Sequence, residues 1–242
     1  MRLDRQDLLD NLDEFHSLYL KRPIKTNDGG MKSPHMFPAW LTVKTLKPEV
    51  LIESGVWKGL GTWFFRQASP KTKMVCIDPA QEMRIYTDPD AVYVLHDFLQ
   101  IDWTNVSKEN TLLFFDDHQN FMDRLRYASE CGFKQIMCED NYPFDQGDCY
   151  TPKKILSGAP YVIDRGGKRE WMLPSGDDLG FFNSVVSHYE EFPPIYIDDK
   201  TRWGNDWGGY TTPRPLLGEL EKYPIFYNER FDYNWICYME LI

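Results

Sequence analysis

Two short polar clusters stand where apolar runs end. "FFDDHQN" closes one run at Asp116, Asp117, His118 and Asn120, and "CEDNYP" closes another at Glu139, Asp140 and Asn141. Imidazole titrates close to neutral pH and can carry a proton in catalysis. If the two runs are neighbouring strands of a parallel sheet, about 4.8 Å apart, acids at their carboxyl ends repel strongly unless a cation sits between them. A hard divalent metal such as Mg²⁺ suits an all-oxygen site, can bind a hydroxyl and can lower its pKa. The plainer use for such residues is capping and turns, and Asn120 is read as the cap of the helix that follows.

The surrounding pattern supplies elements able to place these acids. Leu8, Leu9, Leu12, Phe15, Leu18 and Tyr19 fall at helical spacing, which predicts an amphipathic helix over 5–20. "KTNDGGMKSPHMFPAW" reads as loop. Strands are then expected at "PEVLIESG", "KMVCIDP", "AVYVLHDF", "NTLLFFDD" and "FKQIMCED". A helix is expected from about Gly61 to Ala68, and another carries Phe121, Met122, Leu125 and Ala128 inward. Near-continuous apolar strands separated by helices predict an α/β fold, a doubly wound Rossmann-like parallel sheet with helices on both faces. Residues 142–180 read as a long connection leading to a helix at "LGFFNSVVSHYEEF". The terminal runs "YPIFYNERFD" and "YNWICYMELI" read as an antiparallel hairpin at the sheet edge, bringing the sheet to about seven strands.

The first strand ends in "LIESGVWKGLGTWFF", with Glu53 followed by Gly55, Gly59 and Gly61 before a helix. Glycines at a strand-to-helix turn let a ligand approach the backbone, and a helix N-terminus adds a favourable dipole. The spacing is not the dinucleotide G-x-G-x-x-G, which argues against a nicotinamide enzyme. The second strand also ends in an acid, Asp78, placed to accept hydrogen bonds from the hydroxyls of a ribose. Asp97 follows the third strand, where it could border an adenine.

"ESGVWKGLGT" and "VCIDP" resemble the first two motifs of the class I S-adenosylmethionine (SAM) dependent methyltransferases, over roughly residues 48–141. The resemblance implies a sheet whose last strand is reversed. It implies that Glu53 and Gly55 line the methionine end of SAM and Asp78 its ribose, with Gly59, Gly61 and Thr62 of the same motif also binding the cofactor. Asp97 and Asp116 complete the expected cofactor set. The acid clusters resemble those of metal-dependent small-molecule O-methyltransferases of two kinds. One is the cephalosporin hydroxylase-like, macrolide-sugar and rhamnosyl group, which implies Asp117, Glu139 and Asp140 as metal ligands. The other is the catechol type, which implies Asp117, Asp140 and Asn141. Both alignments fit. The catechol type carries a lysine base where this chain has Asn120, which leaves His118 as the nearest candidate base beside Asp117.

The expected activity is therefore SAM-dependent transfer of a methyl group to a hydroxyl of a sugar or other small molecule, assisted by Mg²⁺, Mn²⁺ or Ca²⁺. The alternatives are a metal-independent methyltransferase using His118, or a non-catalytic SAM-fold or sugar-binding module. Tyr142, Trp203, Trp207 and Tyr210 are the candidate acceptor-binding residues, because aromatic faces beside carboxylates and amides suit a pyranose. Anchoring of the loop to the core is the plainer role for the tryptophans.

Composition narrows the partners. With 27 Lys and Arg against 37 Asp and Glu, the chain carries a formal charge of -10 and lacks the field that nucleic-acid binders need. Five cysteines without zinc-type spacing predict free thiols in a reducing compartment. No run approaches the ~20 apolar residues of a membrane span, so a cytoplasmic location is expected. Homo-oligomerisation is left open. The 242 residues fit one domain: an N-terminal helix and cap (1–47), a cofactor-binding core (48–141), insertions, acceptor loops and a helix (142–222), and the terminal hairpin (223–242).

Overall fold

In the computed structural model, which describes residues 1–218 and 222–242, Asp4 caps the first helix, α1 (Arg5–Tyr19). Its carboxylate accepts from the Gln6 and Asp7 amides, and Leu8, Leu12, Phe15 and Tyr19 form the buried face. A second helix, α2 (Ser33–Leu46), begins inside the stretch 25–40 that the sequence predicts as loop. Pro34 lies in its first turn, where no amide hydrogen is needed. Pro38 removes one internal hydrogen bond, but residues 33–43 are all buried, and that burial outweighs the loss.

The alternating part follows: β1 (Val50–Ser54), α3 (Leu60–Ala68), β2 (Lys73–Ile77), β3 (Val92–Val94), β4 (Thr111–Phe115), α4 (Phe121–Cys131) and β5 (Gln135–Cys138). All five strands are parallel. Asn120 caps α4 through the Met122 amide, as expected. The third strand is shorter than its apolar run because it is the sheet edge, with Val92 exposed.

Residues 142–180 are not a bare connection. They hold α5 (Pro152–Ser157) and a separate antiparallel hairpin, β6 (Tyr161–Arg165) with β7 (Lys168–Met172). The helix expected over 179–192 ends early: α6 (Asp178–Val185) gives way to β8 (Val186–Glu191). Residues 223–232, expected as a strand, instead form α7 (Pro224–Asn228) and a helical turn, with Pro224 at the helix start. The final strand, β9 (Cys237–Leu241), runs antiparallel to both β5 and β8. An antiparallel pair thus completes the sheet, but the partner of the last strand comes from 186–191 rather than from 223–232. Part of the expected 142–222 region, residues 219–221, lies outside the described residues.

The seven strands lie in the order β3-β2-β1-β4-β5-β9-β8. This is a Rossmann-like, doubly wound, mostly parallel sheet with one reversed strand. Side chains alternate between its two faces. Leu51, Met74, Leu112, Phe114 and Met137 pack with α1, α2 and α3, whereas Ile52, Leu113, Phe115, Ile136 and Cys138 pack with α4, α5 and α6. The same alternation carries Glu139 to the first face and Asp117 to the second, whereas Asp140, past the end of β5, meets Asp116 instead of its register neighbour Asp117. All five cysteines are free, and among the described residues no helix is long and apolar enough to cross a membrane.

Candidate active site

A cleft of about 430 Å³ opens beyond the carboxyl ends of β1, β2 and β4. The strand order reverses there, between β2 on one side of β1 and β4 on the other, which is where open α/β sheets take ligands. Gly55 forms its floor at φ +94°, where an added Cβ would overlap the Asp116 carbonyl oxygen. Asp78 is oriented by three backbone amides: Val56 and Trp57 donate to Oδ2 at 2.9 and 2.7 Å, and Ala80 to Oδ1 at 2.7 Å. Oδ2 is filled by its two amides, and Oδ1 keeps acceptor capacity beside the cleft.

Four of the eight residues expected to hold the cofactor line this cleft: Gly55, Asp78, Asp97 and Asp116. Glu53, Gly59, Gly61 and Thr62 do not. Gly59 is needed because the Tyr86 carbonyl passes against it, and Gly61 because Glu53 does. Thr62 donates to Glu53 Oε2 at 2.6 Å, and Cys76 Sγ lies 3.5 Å from the same oxygen. Glu53 projects to the α1–α3 face, like Leu51, and is buried there with Oε1 unpartnered.

Burial pushes the Glu53 carboxyl from 4.5 up to about 8, with Asp78 adding repulsion and the Thr62 and Cys76 contacts opposing it. The folded pKa is raised, so this group's stabilising contribution is full below about pH 4.5 and is lost as pH rises toward 8. We expect wild-type stability to fall by about 1.4 kcal/mol per pH unit across that window from this group. In Glu53→Gln that slope should be reduced, so urea denaturation at pH 5 and pH 8 checks it; equal slopes in both proteins would refute the assignment.

The cleft also contains residues that sequence reasoning passed over. Gly29 and Gly30, from the stretch read as loop, lie against the Trp57 indole, whose Nε1 donates to the Asp28 carbonyl at 3.0 Å. The "NDGG" turn was the available signal. Ser54 and Arg124 gave none, because each becomes relevant only through a long-range contact. Arg124 is 3% exposed and bridges two acids, with Nη1 and Nη2 on Asp97 at 2.8 and 2.5 Å and Nε on Asp117 Oδ2 at 3.0 Å. Burial alone would raise the Asp97 carboxyl, but Arg124 and the Leu99 amide hold it below its ordinary value.

The acid cluster adjoins this cleft and differs from the expected ligand sets. Asp117 accepts from Ser54 Oγ at 2.6 Å and from Arg124, on the α4 face. Asp116, one residue earlier, is the acid that meets Asp140 and His118, and each of the three offers an atom within 4.8 Å of the others. Glu139 turns to the α1–α3 face, where its Oε1 lies 2.6 Å from His35 Nδ1 and its Oε2 accepts from Asn234 at 3.3 Å. The Asn234 backbone amide donates to His35 Nε2, which leaves the Nδ1–H to donate to Glu139. Burial opposes ionisation of Glu139, but the His35 contact holds its pKa below the ordinary range. Asn141 spends its amide hydrogens on Tyr189 Oη and the Trp235 carbonyl and its oxygen on the Lys153 amide. Asp117, Glu139 and Asn141 are therefore all engaged elsewhere, and of the expected metal ligands Asp140 alone stays in the cluster.

Electrostatics shows what the cluster lacks. Burial, then Glu139 and Asp140, push the Asp116 carboxyl well above its usual range. Burial raises Asp140 to about 7 against the pull of His118. His118 is raised to about 10, first by the charge of Asp140 and then by its hydrogen bond with Asp148 at 3.1 Å. Its backbone is held at φ +53°, an uncommon value for a non-glycine residue, by donation of its amide to Asp140 Oδ2 at 2.9 Å. A divalent cation between Asp116 and Asp140 would displace the His118 proton and bring more positive charge to two buried carboxylates, so the donor set fits one.

The expected acceptor residues separate. Tyr142 stacks on His118 and donates to Asp140 Oδ1 at 3.0 Å, and Trp203 meets Tyr142 edge-on with centroids 5.7 Å apart. Trp207 packs against Tyr233 and Trp235 as a loop anchor. Tyr210 donates to Asp145 and lines a different cavity.

No protein-family profile matches the sequence, and no curated protein matches it significantly. Among solved structures, an O-methyltransferase from Bacillus cereus in complex with S-adenosylhomocysteine (SAH) is similar over 100% of this chain and 92% of its own, at 10% identity and a TM-score of 0.49. An SAH-bound methyltransferase from Podospora anserina is similar over 54% of this chain and 62% of its own, at 15% identity and a TM-score of 0.38. An O-methyltransferase of tomaymycin synthesis from Streptomyces achromogenes, in complex with SAM, is similar over 57% and 66%, at 12% identity and a TM-score of 0.40. The fold of this chain is defined by its strand order, a doubly wound sheet with β9 reversed between β5 and β8.

Proposed function

We propose that this protein is a SAM-dependent O-methyltransferase that uses a divalent cation to act on a sugar or other hydroxylated small molecule. The observation that carries this reading is the adjacency of a nucleoside-sized cleft at the strand reversal to the Asp116, His118 and Asp140 cluster. When bound, SAM supplies an electrophilic methyl group and the cation lowers the pKa of the acceptor hydroxyl. The chain's own part is to position the reactants. Asp78 would hold the ribose, Asp97 would border the adenine, Gly55 would let the ligand approach the backbone, and Asp116 and Asp140 would hold the cation. A bound cation would repel the proton that Asp140 and Asp148 hold on His118, which would free the imidazole to take the acceptor's proton, and Trp203 is the aromatic candidate for stacking on the acceptor. The free cysteines agree with a reducing compartment, and we place the protein in the cytoplasm.

Calorimetry with SAH is the direct test. We expect binding in about the micromolar range without metal, little changed by EDTA, with methyl transfer to an acceptor panel requiring Mn²⁺ or Mg²⁺. Absence of nucleoside binding would remove the methyltransferase reading. One observation favours a metal-independent variant: His118 already brings a positive charge to the two acids. A rate undiminished by EDTA would select that variant.

A further inference from the structure

A second cavity, of about 490 Å³, opens beyond the carboxyl ends of β5 and β8 and shares no lining residue with the cleft. Its walls are largely apolar. Phe144 and Leu156 line it and are each 37% exposed, more than large hydrophobic side chains usually are. Its charged lining residues are Lys153 and Glu191. Lys153 Nζ spends its three hydrogens on Glu191 Oε1 at 2.7 Å, Glu191 Oε2 at 2.8 Å and the Thr211 carbonyl at 3.0 Å. Tyr189 donates to Glu191 Oε1 at 2.7 Å, Tyr210 to Asp145 at 2.9 Å, and Ser157 to the Lys154 carbonyl at 2.7 Å. These four donors are therefore used within the chain, whereas Glu191 Oε2 accepts one hydrogen bond and has capacity for another.

Apolar walls around an acceptor with spare capacity select a particular chemistry. We infer that this cavity is a binding site for a small, largely apolar molecule carrying a hydrogen-bond donor, such as a benzylic alcohol or an arylalkylamine, and that it discriminates against carboxylates. The site is tied to the acid cluster through Asn141, the residue after Asp140, whose side chain holds both the Tyr189 hydroxyl and the Lys153 amide. Occupancy does not depend on which reaction the cleft performs.

The test uses the full chain and three probes measured by calorimetry or ligand-observed NMR: tyramine, 4-hydroxybenzyl alcohol and 4-hydroxybenzoate. The amine and the alcohol should bind, and the carboxylate at least about tenfold more weakly, because its charge meets Glu191 with no free side-chain cation. Glu191→Gln should narrow that difference. Leu156→Trp, at a half-exposed position that tolerates a larger side chain, should fill the cavity and abolish binding of the amine and the alcohol while SAH binding to the cleft is unchanged. Failure of the amine and alcohol to bind, equal binding of all three, or binding untouched by Leu156→Trp would overturn the inference, and none of these results bears on SAH binding.

Discussion

Replacing Asp140 with asparagine is expected to lower methyl transfer by at least about 100-fold, within the range typical of lost acid–base or metal assistance, while SAH binding changes little. Asp140 is the point at which the cluster converges. Its carboxylate accepts the His118 amide and the Tyr142 hydroxyl and lies within reach of Asp116. Asparagine keeps the shape and an acceptor oxygen for the His118 amide, but supplies neither a second anionic ligand for a cation nor a charge opposite the imidazole. The fold should not suffer, because the substitution removes a buried carboxyl whose ionisation is opposed by burial and by Glu139. Stopped assays of methylated product with Mn²⁺ in excess, alongside a thermal melt, check both halves. A rate unchanged from wild type would show that the cluster is not part of the reaction.

The second large effect is structural. Gly55→Ala should cost roughly 3 kcal/mol or more of stability, which for a chain of this size lowers the melting temperature by roughly 6–12 °C. Gly55 combines φ +94° with a carbonyl passing directly against its Cα, and its amide donates to the Ile77 carbonyl at 2.9 Å. A methyl group there must displace the backbone at Asp116, pushing apart the ends of β1 and β4 and with them the cleft floor. SAH binding should be lost together with stability. A melting temperature within about 2 °C of wild type would show that the close approach is absent in solution. The glycine spacing foretold a turn, but the reason Gly55 in particular is required lies on another strand, 61 residues away, at Asp116.

The same division runs through the site. The strand-end acids were legible because each closes an apolar run, and the parallel core could be read from runs too continuous for a half-exposed sheet. Which member of each acid pair meets the other was not legible. Past the strand ends Asp140 meets Asp116 instead of its register neighbour Asp117, while alternation sends Asp117 toward α4, where Arg124 waits seven residues further along the chain. Alternation likewise sends Glu139 to His35 of α2, a helix the sequence hid behind two prolines. The last strand's partner was misplaced for a related reason. "VSHYEE" has no strong strand pattern of its own and becomes a strand through its hydrogen bonds to β9, while the aromatic "YPIFYN" turns helical from Pro224.

By itself the sequence determined the elements whose signal is local: the first helix, the five parallel strands, the glycine turn after β1, the cap at Asn120 and the carboxylates at the strand ends. Tertiary structure alone decided the partners: the identity of the acid cluster, the buried state of Glu53, the coverage of the cleft by Gly29, Gly30 and Trp57, and the second cavity walled by residues from four separate stretches. The physical reason is one of range. Periodicity and turn chemistry act within a few residues, whereas the partner that neutralises a carboxylate or covers a backbone is chosen by packing between segments distant in the chain.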